Sequence, residues 1–119
     1  MSDNGIVRLD PNPSNLCFGC GGANEEGMKL AFEQDNVGRR IVGRFTLGPR
    51  YQGGGGMLHG GIIAMLLDEA MGKVCRFRDV RAVTAEMNID FIKPIRRSFS
   101  EFENSSDRTS CDKKTRERP

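Results

Sequence analysis

No apolar run in this 119-residue chain approaches the roughly 18–20 residues of a membrane-spanning helix, so no span is expected. Met1 to Asp10 holds no apolar stretch of the kind that opens a secretory signal. Four cysteines without an export signal point to free thiols in a reducing, cytoplasmic setting. A second C-x-x-C is also missing. Cys17 and Cys20 form one pair, Cys75 and Cys111 stand apart, and His59 is the only histidine. Spacing alone therefore assembles no zinc site, and no metal is assigned. The four glycines Gly53–Gly56 are not followed by Gly-Lys-Ser/Thr, which excludes a phosphate loop. The His-Gly-Gly of residues 59–61 has no accompanying Gly-x-Ser-x-Gly elbow, which excludes a serine esterase. No internal repeat is visible.

Net charge is scarce too. Residues 1–95 carry 11 Lys+Arg and 11 Asp+Glu, whereas residues 96–119 carry 7 and 5. The formal charge of +2 thus belongs to the tail, and no nucleic-acid surface is expected. Lys93, Arg96 and Arg97 read as solvated surface charge. Hydrophobic residues make up 37% of the chain, enough for one modest core.

What is present is patterned. Residues 1–27 read as a leader, broken by Pro11, Pro13 and five glycines, with the C-x-x-C inside it. Met28 to Glu33 alternates and predicts a half-buried strand, with a hairpin turn at Asp35 to Gly38. Ile41 to Leu47 alternates again and predicts its antiparallel partner. Gly48 to Gly61 is a loop with seven glycines. Ile62 to Val74 is apolar almost all round, which predicts a buried helix. Gly72 weakens its end, and Arg76 and Arg78 suit a helix C-terminus. Arg81 to Ile95 predicts the longest strand, with Val83, Ala85, Met87, Ile89 and Phe91 on one face and Thr84, Glu86, Asn88 and Asp90 on the other, closed by Lys93-Pro94. From Arg96 onward only Phe99, Phe102 and Cys111 are apolar, and a disordered polar tail is expected. The predicted units are a leader (1–27), an α+β domain (28–95) and the tail (96–119).

The chemistry lies at the helix. The first amides of a helix lack intrahelical partners and sit at the positive end of its dipole. Glycine at Gly60 and Gly61 lets a carbonyl approach them, which suits an oxyanion hole. Asp68 is a carboxylate on an apolar helix. Burial would raise its pKa and make it a general base, or it could attack as a nucleophile. Gly60 and Asp68 are eight residues apart, about 12 Å along one helix axis. A single reacting carbon must lie near both, so the carboxylate is expected from a second chain. The plainer alternative is a glycine-rich turn before a core helix, with Asp68-Glu69 as structural charge.

Three blocks carry a family resemblance across residues 15–95. They are CFGCGGANEEGMKL (17–30), QGGGGMLHGGIIAMLLDEAMG (52–72) and AVTAEMNIDFIKP (82–94). In this order they resemble the hotdog-fold acyl-CoA thioesterases of the phenylacetate-pathway type. The likeness implies a hotdog fold, an antiparallel sheet wrapped around one central buried helix, assembled as a homodimer or homotetramer. It implies an acyl-CoA substrate and neither metal nor cofactor. Gly60 would be the oxyanion donor and Asp68 the general base or nucleophile. His59 and Gly61 would shape the acyl pocket, and Gln52 and Thr84 would position the carbonyl or the water. The C-x-x-C would be structural. A non-catalytic acyl-CoA-binding module, or an inactive truncated relative, is the competing expectation.

The resemblance stops at Pro94. Family members continue with a glycine turn and further long strands, whereas IRRSFSEFENSSDRTSCDKKTRERP shows no strand pattern. The ending reads as a frameshift or early stop. The sheet is then expected to be incomplete at the C-terminus, with an uncovered edge.

Overall fold

The computed structural model describes residues 5–96, 100–105 and 114–117. In chain order the elements are β1 (Ile6–Leu9), β2 (Phe32–Asp35), β3 (Arg40–Phe45), α1 (Gly60–Val74), β4 (Glu86–Ile89), β5 (Ser100–Ser105) and β6 (Lys114–Glu117). β1, β2, β3 and β5 form one antiparallel sheet in that order, and β4 pairs with β6 in parallel. The helix α1 lies against β3 and β5. The architecture is α+β, with one central helix and a small antiparallel sheet.

The β2–β3 turn forms for a local reason. Asp35 Oδ1 accepts the amides of Val37 at 3.1 Å and Gly38 at 2.9 Å, and Oδ2 accepts Arg40 Nε at 3.0 Å. These bonds hold the Asp35 carboxyl below the usual carboxylate range, the Gly38 amide contributing most and the Arg40 side chain next. β3 is covered on both faces, with Ile41, Val42 and Gly43 all buried. Gly43 is small because Phe32 and Phe45 meet edge-to-face above it, ring centroids 5.4 Å apart. A Cβ there would stand 2.6 Å from Phe45 Cζ and 2.8 Å from Phe32 Cε2.

The helix buries Ile63, Leu66, Leu67, Ala70, Met71 and Val74. Each of these but Ala70 stabilises the fold by about 1.5–3 kcal/mol relative to exposure. Ile62, Ala64 and Met65 are only half-buried, and Gly61 and Gly72 are exposed. The helix predicted to be buried all round is thus covered fully on one face. Gly72 does not end it. The chain runs on through a tight 3-10 turn, Cys75–Arg78, and stops at Asp79, whose φ of 53° breaks the helical path. Arg76 Nε reaches back to Gln34 Oε1 at 2.9 Å and ties this end to β2.

The structure corrects several expectations. The leader is not irregular throughout, because Ile6–Leu9 pairs with Phe32–Asp35. The strand predicted at Met28 to Glu33 begins only at Phe32, since Lys29 sits at φ 51° and breaks the extended path. Met28 and Leu30 instead donate their amides to Phe18 O and Gly19 O at 2.8 and 2.9 Å. The long strand predicted over Arg81 to Ile95 contracts to Glu86–Ile89. Residues 80–84 join no sheet ladder among the described residues and line a cavity beside α1. The tail expected from Arg96 falls mostly outside the described residues. Two of its segments are placed as the strands β5 and β6, which the sequence pattern does not announce.

Candidate functional site

The glycine-rich loop delivers the chain to α1 in a closed form. Gly53 N–H donates to Met57 O at 2.8 Å and Met57 N–H to Gly54 O at 2.9 Å. Gly55 and Gly56 take φ of 49° and 81°, which L side chains rarely adopt. Gln52 bridges to Leu58, and Leu58 N–H donates to Ile95 O at 2.7 Å. His59 then caps the helix.

His59 satisfies three of the first four helical amides. Its carbonyl accepts Ile62 N–H and Ile63 N–H, both at 3.0 Å, and its Nδ1 accepts Gly61 N–H at 2.9 Å. Among the described residues the Gly60 amide has no acceptor. It is the remaining free donor at the positive end of the helix. Phe91 packs beside it: a Cβ at Gly60 would lie 3.6 Å from Phe91 Cε1, an ordinary contact. Sequence reasoning placed Phe91 only on a strand face and missed this neighbour.

The second part of the site lies on the same helix, further along. α1 is continuous from Gly60 to Val74, so Asp68 is about 12 Å along the axis from Gly60. Asp68 is half-buried, and Thr84 Oγ1 donates a hydrogen bond to its Oδ1. Both border a cavity of about 950 Å³, which Cys17, Cys20, Glu69, Lys73 and residues 80–84 also line. The structure therefore brings Asp68 and Thr84 together and sets His59 and Gly61 on either side of Gly60, while Gln52 is bridged to Leu58 before the helix start. It keeps the two groups apart within one chain.

The cavity holds two thiols. Cys17 Sγ lies 3.5 Å from Glu69 Oε1 and donates to it. The Cys20 thiol is pushed up to about 11, first by burial and then by its hydrogen bond with Cys17. Without a further charge beside it, Cys20 is a protonated thiol at neutral pH and a poor nucleophile. That leaves Asp68 as the better-placed group for attacking or activating chemistry. A smaller hollow of about 410 Å³ lies between the start of β2 and the end of β3. Its charged pair is satisfied: Arg44 Nη1 and Glu33 Oε1 are 2.8 Å apart.

This helix entry, free amide and mid-helix acid lie within one matched segment. Residues 55–98 match the family model of the thioesterase superfamily. The chain is also similar to curated relatives. Over 69 residues, 58% of this chain, it is 39% identical to acyl-coenzyme A thioesterase THEM4 of Rattus norvegicus and 38% identical to that of Mus musculus. THEM4 of Bos taurus is 38% identical over the same length. The chain spans about 30% of the length of the two rodent relatives and 28% of the bovine one. One central helix on a small antiparallel sheet is consistent with the hotdog fold. Among the described residues no helix is long and apolar enough to cross a membrane.

Proposed function

We propose that this chain is a hotdog-fold acyl-CoA thioesterase whose two half-sites are completed by a second copy of itself. The observation that carries the reading is the single free amide at Gly60. It stands at a capped helix start, on the helix that carries Asp68, inside the segment that matches the thioesterase superfamily.

The proposed mechanism uses these groups in two copies of the chain. The thioester carbonyl oxygen sits at Gly60 N–H, which stabilises the negative charge that develops as the carbonyl carbon becomes tetrahedral. Asp68 of the second copy takes a proton from water, and the water oxygen attacks that carbon. Thr84, bonded to Asp68 Oδ1, orients the carboxylate and leaves Oδ2 to face the water. Collapse of the intermediate expels the coenzyme A thiolate and forms the acid. Direct attack by Asp68, through an anhydride that water then opens, uses the same placement. Val83, Phe91 and Ile92 are 91%, 55% and 64% exposed, and they supply apolar surface for the second copy to cover.

The test is thiol release from a panel of acyl-CoA esters, with Asp68→Asn beside the wild type. The exchange keeps size and removes the base, so turnover is expected to fall by about 10²–10⁴ while the helical circular dichroism stays. Hydrolysis that continues unchanged in Asp68→Asn would remove this residue from the chemistry. The separation of about 12 Å between Gly60 and Asp68 favours one second reading. A chain that stays single would bind a thioester at Gly60 without cleaving it, and would show ligand binding with no thiol released.

A further inference from the structure

The fold brings the two thiols of the C-x-x-C together with a carboxylate 52 residues away in sequence. Cys17 Sγ, Cys20 Sγ and a Glu69 carboxylate oxygen all lie within 4.8 Å of one another, and all three residues are half-buried. We infer that Cys17, Cys20 and Glu69 form a zinc site that pins the leader to the central helix. The inference does not depend on the thioesterase reading.

The geometry suits the ion. Zinc takes thiolate sulfur at about 2.3 Å and carboxylate oxygen at about 2.0 Å in a tetrahedron, which implies an S···O separation of about 3.5 Å. Cys17 Sγ and Glu69 Oε1 are already 3.5 Å apart. The backbone is shaped to hold this closeness. Cys17 N–H is fixed by Asn15 Oδ1 at 2.6 Å, and Gly21 N–H closes the turn on Cys17 O at 2.9 Å. A Cβ on Gly19 would collide with the Glu69 carboxylate, so the turn lies directly over that side chain. Leu30 N–H, bonded to Gly19 O at 2.9 Å, holds the turn from the other side.

The chemistry fits as well. Two soft thiolates select zinc over magnesium or calcium. Two thiolates and a carboxylate carry three negative charges, and a divalent ion leaves one. Lys73, one turn along α1 from Glu69, acts on this cluster as a positive charge and offsets it. The ion itself deprotonates the thiols it binds. Cys17, Cys20 and Glu69 all line the cavity shared with Asp68, from which a water would complete the tetrahedron.

The test uses the full chain, reduced with a phosphine and stripped with a chelator. Zinc alone is titrated in competition with a chromogenic chelator, and cobalt(II) in parallel reports thiolate ligands through charge-transfer absorption. One ion per chain with a two-thiolate spectrum is expected. Cys17→Ser and Cys20→Ser should each lose it, and Cys111→Ser should keep it. Orienting partners of a metal ligand are themselves worth about 10–100-fold in affinity, so Glu69→Gln should weaken binding at least about tenfold. Gly19→Ala, which displaces the carboxylate and leaves both thiols, should weaken it in the same direction. Alkylation of the wild type, mapped by peptide mass, covers the case of a cysteine variant that does not fold. Zinc should protect Cys17 and Cys20 and leave Cys111 reactive. Failure of the wild type to take up one zinc overturns the site, as does unchanged affinity in Glu69→Gln or absence of protection at either thiol.

Discussion

Gly60 offers a rare chance to delete a single backbone donor without disturbing the helix that carries it. Proline is favoured at the first position of a helix, where its missing N–H has no intrahelical role. His59, the residue before it, has φ −62° and ψ 137°, the extended conformation that proline demands of its predecessor. A Cβ there meets nothing closer than 3.6 Å, an ordinary contact. Gly60→Pro is therefore expected to leave the fold and the melting temperature nearly unchanged. It should reduce thioester turnover by about 10²–10³, the loss typical of one oxyanion donor. Full activity in a folded Gly60→Pro chain would rule out the amide as the oxyanion donor. His59 matters here as a cap, and its Nδ1 is engaged with Gly61 N–H. A helix-entry role of this kind was within reach of the sequence, because a residue before a Gly-Gly helix start is where a cap must be. The free amide was not, because it depends on which of four donors the cap leaves over.

At the scale of the element, the β2–β3 turn carries a pH dependence. The folded pKa of Asp35 is depressed, so the group contributes stability above its unfolded value of about 3.9, and this is lost as the pH falls through the folded pKa. Asp35→Asn should be less stable than the wild type at neutral pH. Denaturation midpoints of the two should converge as the pH drops below about 4. A constant difference across that range would mean that the turn bonds, and not the charge, do the stabilising. Gly43→Ala tests the strand beside it. The added methyl meets Phe32 and Phe45, and overpacking of this kind costs about 1–3 kcal/mol, read from urea unfolding. How far these elements were legible depended on their partners. α1 was visible from the largely apolar run Ile62 to Val74, with Gly60 and Gly61 read as its entry, and only its burial on every side was not met. The turn at Asp35 was visible because it is local. The strand predicted at Met28 failed on one backbone angle, that of Lys29, which no alternation pattern encodes. The strand predicted over Arg81 to Ile95 failed differently. Its alternation is genuine, yet a ladder needs a neighbour, and here residues 80–84 border the cavity with Asp68. The thiols and Glu69 met only through a contact 52 residues apart in sequence.

For the whole molecule, the decisive quantity is how many copies share a site. The exposed Val83, Phe91 and Ile92 lie on the segment that should have been the longest strand. Covered by a second copy, the segment would gain the pairing and burial it lacks. Light scattering on the purified chain is expected to give a discrete dimer or tetramer. Replacing Val83 and Ile92 by lysine should shift it to monomer with the helical signal retained, and thioester turnover should fall with the assembly. A wild-type monomer that hydrolyses thioester would exclude the two-chain site.

Because His59 engages three amides and leaves one, an acyl group entering here would be held at a pivot rather than along an edge. Rotation about that single bond costs little, so the grip on the oxygen does not dictate where the chain behind it points. Selectivity among acyl groups would then belong to the walls that limit the swing, Phe91 foremost. An enzyme built this way would be tolerant by construction, and its preferences could be redrawn without touching the bond that activates the ester.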